Sequence, residues 1–469
     1  MSKVFEMYNW QKKALAIWQQ LHLTDETSMT VAAVTGSGKT RLALEIMEDW
    51  LKYSEIPEWD FVDLVTIVVP TKALMIQWRD CFIEWGIPGN LIGRMGGGSI
   101  KGWANKPAPC YNIVSLQTLA KGKPDYMSAF DERTNHLVIV DECHNLRGKK
   151  MREALSVENC PRSAVLGLSA TPHPTPEAKK VIESLCGPMG YSYRYGQALA
   201  DGVIPPFVIN AIQIPLNAIE TNNIDYITRQ IKNVMKEASY ESGAEAQRLY
   251  SIAKALGTKR KRALNQCKSR FHVAMRILAT HGADTPTLLF HESIDDIERL
   301  AQMTDYLKPA LYHSKGKGVA ELERFALGET NHLYSCLALT EGFNVPRVQV
   351  AIMMSGPNAP LRRIQTLGRC LRGNTDTVNE IYFLYVPNTK DEEGLYNLLN
   401  TGDIPQMVKV GDKEIKVVKH YQSTPAGLIP IPPPTPPQVF VANHGEPVRG
   451  IALTTEEEQD MLNFLDTFK

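Results

Sequence analysis

No apolar stretch in this 469-residue chain reaches the roughly 18 residues of a membrane-spanning helix, so no crossing of a bilayer is expected. The eight cysteines include no Cys-x-x-Cys pair and no His/Cys metal spacing. That argues against a zinc module and for reduced thiols in the cytoplasm. The first residues, Met1 to Glu6, lack the layout of a secretory signal. Net charge is missing as well, since 51 Lys and Arg balance 51 Asp and Glu. A polyanionic partner must therefore be gripped by a local groove, because the field of the whole protein offers no attraction. There is no repeat of fixed period and no carboxylate–lysine pattern of a nuclease. What is left, 43% apolar and 22% charged residues, is the composition of a globular protein of two or three domains.

The most informative stretch is Ala33-Val34-Thr35-Gly36-Ser37-Gly38-Lys39-Thr40. It follows the apolar run Met29 to Val34, which reads as a buried parallel strand, and precedes Arg41 to Trp50, which reads as a helix. A strand, a Gly-rich turn and a helix form a phosphate cradle. Gly36 and Gly38 admit the phosphate oxygens, and the turn's N–H groups face the anion. Lys39 is placed to reach the β- and γ-phosphates, and the Thr40 hydroxyl to hold Mg²⁺. A second constellation follows Leu137 to Val140, an apolar strand that runs into Asp141-Glu142-Cys143-His144. Adjacent carboxylates at the end of a buried strand are costly unless a cation or a reacting group meets them. Beside a phosphate loop they assign Asp141 to Mg²⁺ and Glu142 to the attacking water.

Further strands end in polar corners, where ligands of parallel sheets sit. Leu64 to Val69 ends in Pro70-Thr71-Lys72, Asn112 to Leu116 in Gln117-Thr118, and Ala164 to Leu168 in Ser169-Ala170-Thr171-Pro172. The hydroxyls of the last corner either relay hydrogen bonds or form a turn. Met95-Gly96-Gly97-Gly98-Ser99 reads as a flexible loop. Alternating strands and helices predict a doubly wound sheet up to about residue 200. Asn223 to His281 reads as helical and holds the basic cluster Lys259-Arg260-Lys261-Arg262, either a solvated face or a phosphate contact. Strand–helix alternation then returns, with Ala310 to Tyr312 leading to His313. Gln365, Arg369 and Arg372 share a later helix, and the two arginines, three apart, suit a triphosphate. Beyond Val386 the organisation fades, and Ser423 to Gln438 is too Pro-rich to close a core.

The blocks AVTGSGKT (33–40), PTKAL (70–74), DECH (141–144), SATP (169–172), TEGFNVP (340–346) and QTLGRCLR (365–372), with Gln11 upstream, resemble in order and spacing those of superfamily 2 helicases. The resemblance covers residues 5 to 390 and is nearest to the DNA-repair, type III restriction and phage recombination branches. It implies an α/β protein with two RecA-like doubly wound parallel-sheet domains in tandem and ATP in the cleft between them. The domains are expected at 1–203 and 204–390, with a helical insert at about 223–283 opening the second. Residues 391–469 then form a C-terminal extension with a Pro-rich linker and a terminal helix.

By the resemblance Gln11 reads adenine, and Thr35, Gly36, Ser37, Gly38, Lys39 and Thr40 bind nucleotide. Asp141 shares the Mg²⁺ with Thr40, and Glu142 is the general base. Gln365 approaches the γ-phosphate, Arg369 and Arg372 are fingers, and Glu341 and Gly342 contact nucleotide or strand backbone. Pro70, Thr71, Lys72, Gln117, Thr118, His313 and Thr340 are the nucleic-acid contacts. The cofactors implied are ATP and Mg²⁺, and the partner is nucleic acid, DNA in preference to RNA. A DNA helicase is the leading expectation. A duplex translocase, an RNA helicase and an ATP-gated binding subunit are the alternatives. A monomer is expected, with residues 423–469 open to a protein partner and dispensable for ATPase beyond Gln422.

Overall fold

The computed structural model describes residues 6–22, 27–53, 62–96, 99–101, 110–122, 134–170, 176–313, 315, 318–336, 347–355, 377–399, 404–410 and 413–433. The chain divides between Ile204 and Pro205 into two compact units, each with its own eight-stranded sheet. In the first, β1 (Ser28–Ala33), β2 (Val62–Val69), β3 (Ile92–Gly96), β4 (Ser99–Lys101), β5 (Cys110–Ser115), β6 (Thr134–Asp141), β7 (Ala164–Ser169) and β8 (Met189–Tyr193) lie in the order β4-β3-β5-β2-β6-β7-β1-β8. All pair in parallel except β3 with β4. The apolar runs explain this: β7 is buried along its whole length, as a parallel strand covered on both faces must be.

Three helices position the site: α1 (Asn9–His22), α2 (Lys39–Tyr53) and α3 (Lys72–Glu84). Thr71 caps α3, its hydroxyl accepting from the Leu74 N–H at 3.3 Å. Leu74, Met75, Trp78 and Phe82 form the buried face of α3.

The glycine run 95–99 is not a plain loop. Met95 pairs with Ile100 and Gly96 with Ser99 in an antiparallel hairpin at the sheet edge. Gly96, at φ 121°, lies so close to β5 that an added Cβ would sit 2.4 Å from the Ser115 hydroxyl. The strand expected through Leu116 stops at Ser115, whose hydroxyl accepts from the Thr118 N–H and starts a short helix.

The second unit orders β9 (Phe207–Gln213), β10 (Thr287–His291), β11 (Ala310–Tyr312), β12 (His332–Cys336), β13 (Val350–Met353) and β14 (Asn379–Tyr385) as β11-β12-β10-β13-β14-β9, all parallel. A separate hairpin pairs β15 (Met407–Val410) with β16 (Lys413–Lys416). The helical stretch is three helices, Ala218–Ala238, Gly243–Asn265 and Lys268–His281. The first two pack on each other. The third belongs to the core through Phe271, Ala274, Ile277 and Leu278.

Organisation does not fade after Val386. β17 (Val418–Thr424) pairs in parallel with β9, and β18 (Gly427–Pro430) folds back on β17. The tail residues 418–430 are therefore part of the second sheet, and Arg276 ties their turn down by donating to the Thr424 carbonyl at 3.1 Å. A chain ended at Gln422, expected from the sequence to keep its ATPase, is cut inside β17. Ending the chain at Gln422 should lower the unfolding midpoint of the second unit by about 5 °C or more. Ending it at Pro433 should leave the midpoint unchanged, and calorimetry of the two truncations decides. The terminal helix expected after residue 450 lies outside the described residues.

Two buried histidines predict an acid response. His136 has Nδ1 2.6 Å from the Pro161 carbonyl oxygen and Nε2 2.9 Å from the Thr66 hydroxyl. His332, 1% exposed, has no hydrogen-bond partner for either ring nitrogen among the described residues. Burial pushes both down to about 4. The unfolded chain takes up protons near pH 6.5 while the folded one does not. Stability is therefore whole above pH 6.5 and falls on acidification toward pH 4, by about 1.4 kcal/mol per pH unit for each histidine at the steepest. Asp141, raised to about 6, opposes this in the first unit, so the effect is cleanest in the second. His332→Leu should stabilise the second unit by about 1–3 kcal/mol and flatten its decline between pH 6.5 and 4. Thermal melts across that range test it.

Candidate functional site

The loop after β1 is held open by glycine and clamped by α1. Gly36 and Gly38 adopt φ 87° and 95°, left-handed values that a side chain disfavours. A Cβ on Gly38 would also lie 2.7 Å from Gln11 Nε2. Gln11, 1% exposed, donates from Nε2 to the Gly38 carbonyl at 2.8 Å and accepts at Oε1 from the Tyr8 N–H at 2.7 Å. Trp10 donates its indole N–H to the Ser37 carbonyl at 3.2 Å and stacks on Tyr193, ring centres 4.8 Å apart. The Ser37 hydroxyl donates to the Val34 carbonyl. Lys39 donates to the Ala33 carbonyl at 2.9 Å, and Thr40 follows it in the first turn of α2. The Thr35 hydroxyl is buried with no hydrogen-bond partner among the described residues.

The carboxylates close β6. Asp141 accepts at Oδ2 from the Trp78 indole N–H at 2.9 Å and at Oδ1 from the Glu142 N–H at 2.9 Å. Burial, and then the neighbouring Glu142, push its carboxyl up to about 6, against the pull of Trp78 and Lys39. Glu142 takes left-handed backbone angles, φ 53° and ψ 49°. Strain of this kind in a non-glycine residue marks sites whose surroundings fix them. Glu142 Oε2 lies 3.4 Å from His144 Nδ1, which is 3.0 Å from the Ser169 hydroxyl at the end of β7. Asn145 donates to His144 Nε2 and to the Glu142 carbonyl. Those bonds assign the ring proton to Nδ1, facing Ser169 and Glu142. The Ser169 corner thus relays a hydrogen bond to the DECH box. Thr171 and Pro172 lie outside the described residues.

The two expected strand-contact corners are joined. β2 and β5 are neighbours, and Gln117 Nε2 donates to the Pro70 carbonyl at 2.7 Å. Lys72 is exposed at the first turn of α3. The hydroxyls of Thr71 and Thr118 serve local structure, the first as the α3 cap, the second 2.7 Å from the Ser115 hydroxyl.

Elsewhere the expectations fare differently. His313 is buried, with Nε2 3.5 Å from Glu298 Oε1. Thr340, Glu341, Gly342, Gln365, Arg369 and Arg372 lie outside the described residues. Most of the basic cluster is used inside the second unit. Lys261 donates to Glu292 at 2.9 Å, Arg262 lies 3.8 Å from Asp295, and burial lowers Arg260 beside Asp225. These contacts tie the helix Gly243–Asn265 to the end of β10. Sequence reasoning missed Trp78, His144 and Asn145, whose partners are set by tertiary packing or by the strained turn at Glu142. Trp10 had a signal, its place beside Gln11.

A triphosphate with Mg²⁺ fits these residues. The fit rests on the glycine-opened cradle, the Thr35 hydroxyl with no partner among the described residues, and the buried Asp141 carboxyl, which feels the charge of Lys39. Among the described residues no helix is long and apolar enough to cross a membrane.

Comparison with known proteins places this arrangement. The family described as type III restriction enzyme, res subunit, matches residues 4–174, and the helicase conserved C-terminal domain matches residues 269–374. The chain is 24% identical over 400 residues to the uncharacterized protein Rv2917 of Mycobacterium tuberculosis, covering 81% of this chain and 61% of that one. It thus spans about three-fifths of the length of such relatives. It is 24% identical over 383 residues to the DNA 3'-5' translocase XPB2 of Sulfurisphaera tokodaii, covering 78% and 79%. The crystal structure of the Pyrococcus furiosus Hef helicase domain superposes with TM-score 0.54 at 17% identity, over 81% of this chain and 97% of that one.

Proposed function

Because this chain belongs to the superfamily 2 helicases, we propose that it is a DNA-dependent ATPase that couples hydrolysis to translocation along DNA and to strand separation. The observation that carries the reading is the placing of Lys39 after β1 and Asp141 at the end of β6, strands that flank β7, with the Lys39 charge drawing on the Asp141 carboxyl beside a loop of two left-handed glycines. Mg²⁺, when bound, neutralises charge on the β- and γ-phosphate oxygens. Thr40 and Asp141 would hold it, and Lys39 would exchange its Ala33 carbonyl partner for a phosphate oxygen. Glu142 accepts the proton of the attacking water, oriented by the imidazole N–H of His144. Thr35, Gly36, Ser37 and Gly38 line the phosphates. Gln11, already bonded to the loop, sets the loop's position and offers its remaining donor and acceptor capacity to adenine. Gln365, Arg369 and Arg372 stabilise the γ-phosphate, while Glu341 and Gly342 contact the nucleotide. Pro70 to Lys72, Gln117, Thr118 and Thr340 follow one strand of the polymer, whereas His313 is buried against Glu298 and is left out of that contact.

Grip through phosphates is sequence-independent and weakens with salt. A duplex translocase without strand separation is the second reading, favoured by the likeness to a translocase of Sulfurisphaera tokodaii. Displacement of a labelled strand from a forked duplex, beside displacement of a third strand from a triplex, separates the two. Strand release from the fork supports unwinding. Triplex displacement alone supports the second reading.

A further inference from the structure

α3 touches both halves of the ATP site and begins at the polymer corner. Its N-terminus is Thr71-Lys72, joined to the neighbouring corner by the Gln117 bond to Pro70. Nearly two turns further in, the fully buried Trp78 directs its indole N–H at Asp141 Oδ2, 63 positions along the chain. Trp78 meets Phe82 edge-on at 6.0 Å, and Phe82 meets Tyr111 of β5 at 5.5 Å, so the indole is wedged against the sheet. At the far end Trp85 donates to Glu48 of α2 at 2.6 Å. Arg41, the residue after Thr40, lies 4.2 Å above the Trp85 ring and pairs with Glu45. A helix clamped at both ends and wedged along its middle moves as a body.

We propose that α3 is the element that couples polymer binding to the ATP site, with Trp78 the positioning residue for the Asp141 carboxylate and Trp85 its tie to α2. The Glu142 N–H holds Oδ1 from within the strand end and the indole N–H holds Oδ2 from α3, so the carboxylate turns about its Oδ1 anchor with the position of α3. A strand phosphate drawing on Lys72 and the Thr71 corner shifts the helix, and the carboxylate follows. By linkage the effect is reciprocal, so that filling the nucleotide site alters the grip at the corner. The proposal rests on the reading above of Asp141 as the Mg²⁺ carboxylate and of residues 70–72 as polymer contacts.

The test uses Trp78→Phe, which keeps a ring and removes the donor. The dissociation constant of a fluorescein-labelled oligodeoxythymidylate is measured on the full chain with and without AMP-PNP, across a Mg²⁺ titration. Nucleotide-free affinity should stay within about two-fold of the unmutated protein, while the coupling factor between nucleotide and oligonucleotide falls by about five-fold or more. The Mg²⁺ concentration for half the nucleotide effect should rise. An unchanged coupling factor and an unchanged Mg²⁺ midpoint in folded Trp78→Phe overturn the proposal. Trp85→Phe, at a partly exposed position, carries the same test if Trp78→Phe fails to fold. It should lower the coupling factor, and an unaltered factor overturns the role of α3. No coupling in the unmutated protein would instead overturn the function reading and take this inference with it.

Discussion

Arg372→Ala, and equally Arg369→Ala, should lower polymer-stimulated ATP turnover by about 10³–10⁵-fold while ATP binding by the first unit persists. Both residues lie in the stretch matched by the helicase C-terminal domain, three apart and so on one face of the expected helix. Arginine suits the task because its planar, permanently charged fork pairs bidentately with phosphate oxygens. Lysine at either position should therefore restore little, supplying a point charge without the fork. Mixing Lys39→Ala with Arg372→Ala checks whether the arginine acts within one chain. A dead mixture is expected, and recovered turnover would show a site shared between copies.

Glu142→Gln should cost about 10²–10⁴-fold in turnover with nucleotide and DNA still bound. The glutamine keeps the size of the side chain and loses the capacity to accept a proton. Its neighbours stay in place, because Asn145 holds the Glu142 carbonyl and His144 stays hydrogen-bonded to Ser169. Loss of function should thus appear in kcat and not in the dissociation constant of a non-hydrolysable analogue. Near-normal kcat would remove Glu142 from the role of base and shift attention to a water held by His144.

The phosphate loop and the DECH strand were legible because both are local. A buried strand, two glycines and Lys-Thr span a dozen positions, and an apolar run meeting two acids spans fewer. The sheet edges were not legible. β17 alternates Val418, His420 and Gln422 with Lys419, Tyr421 and Ser423, which offers no apolar face, and it becomes a strand only against β9. The hairpin of β3 and β4 was hidden by three glycines that read as a loop, although Gly96 is glycine because β5 lies against it. The basic cluster at 259–262 read as two things at once, since its acidic partners Glu292 and Asp295 lie thirty residues away. Trp78 carried no signal, because its partner is fixed by how α3 packs on the sheet and by nothing in its own neighbourhood.

The central claim is that hydrolysis at the Lys39–Asp141 site answers to nucleic acid. Steady-state ATPase measured in parallel with single-stranded DNA, duplex DNA, forked DNA, RNA and no polymer tests it most directly. The account predicts low turnover alone and a rise of about ten-fold or more with DNA, larger than with RNA and declining as salt is raised. Turnover that is equal with and without every polymer would contradict it.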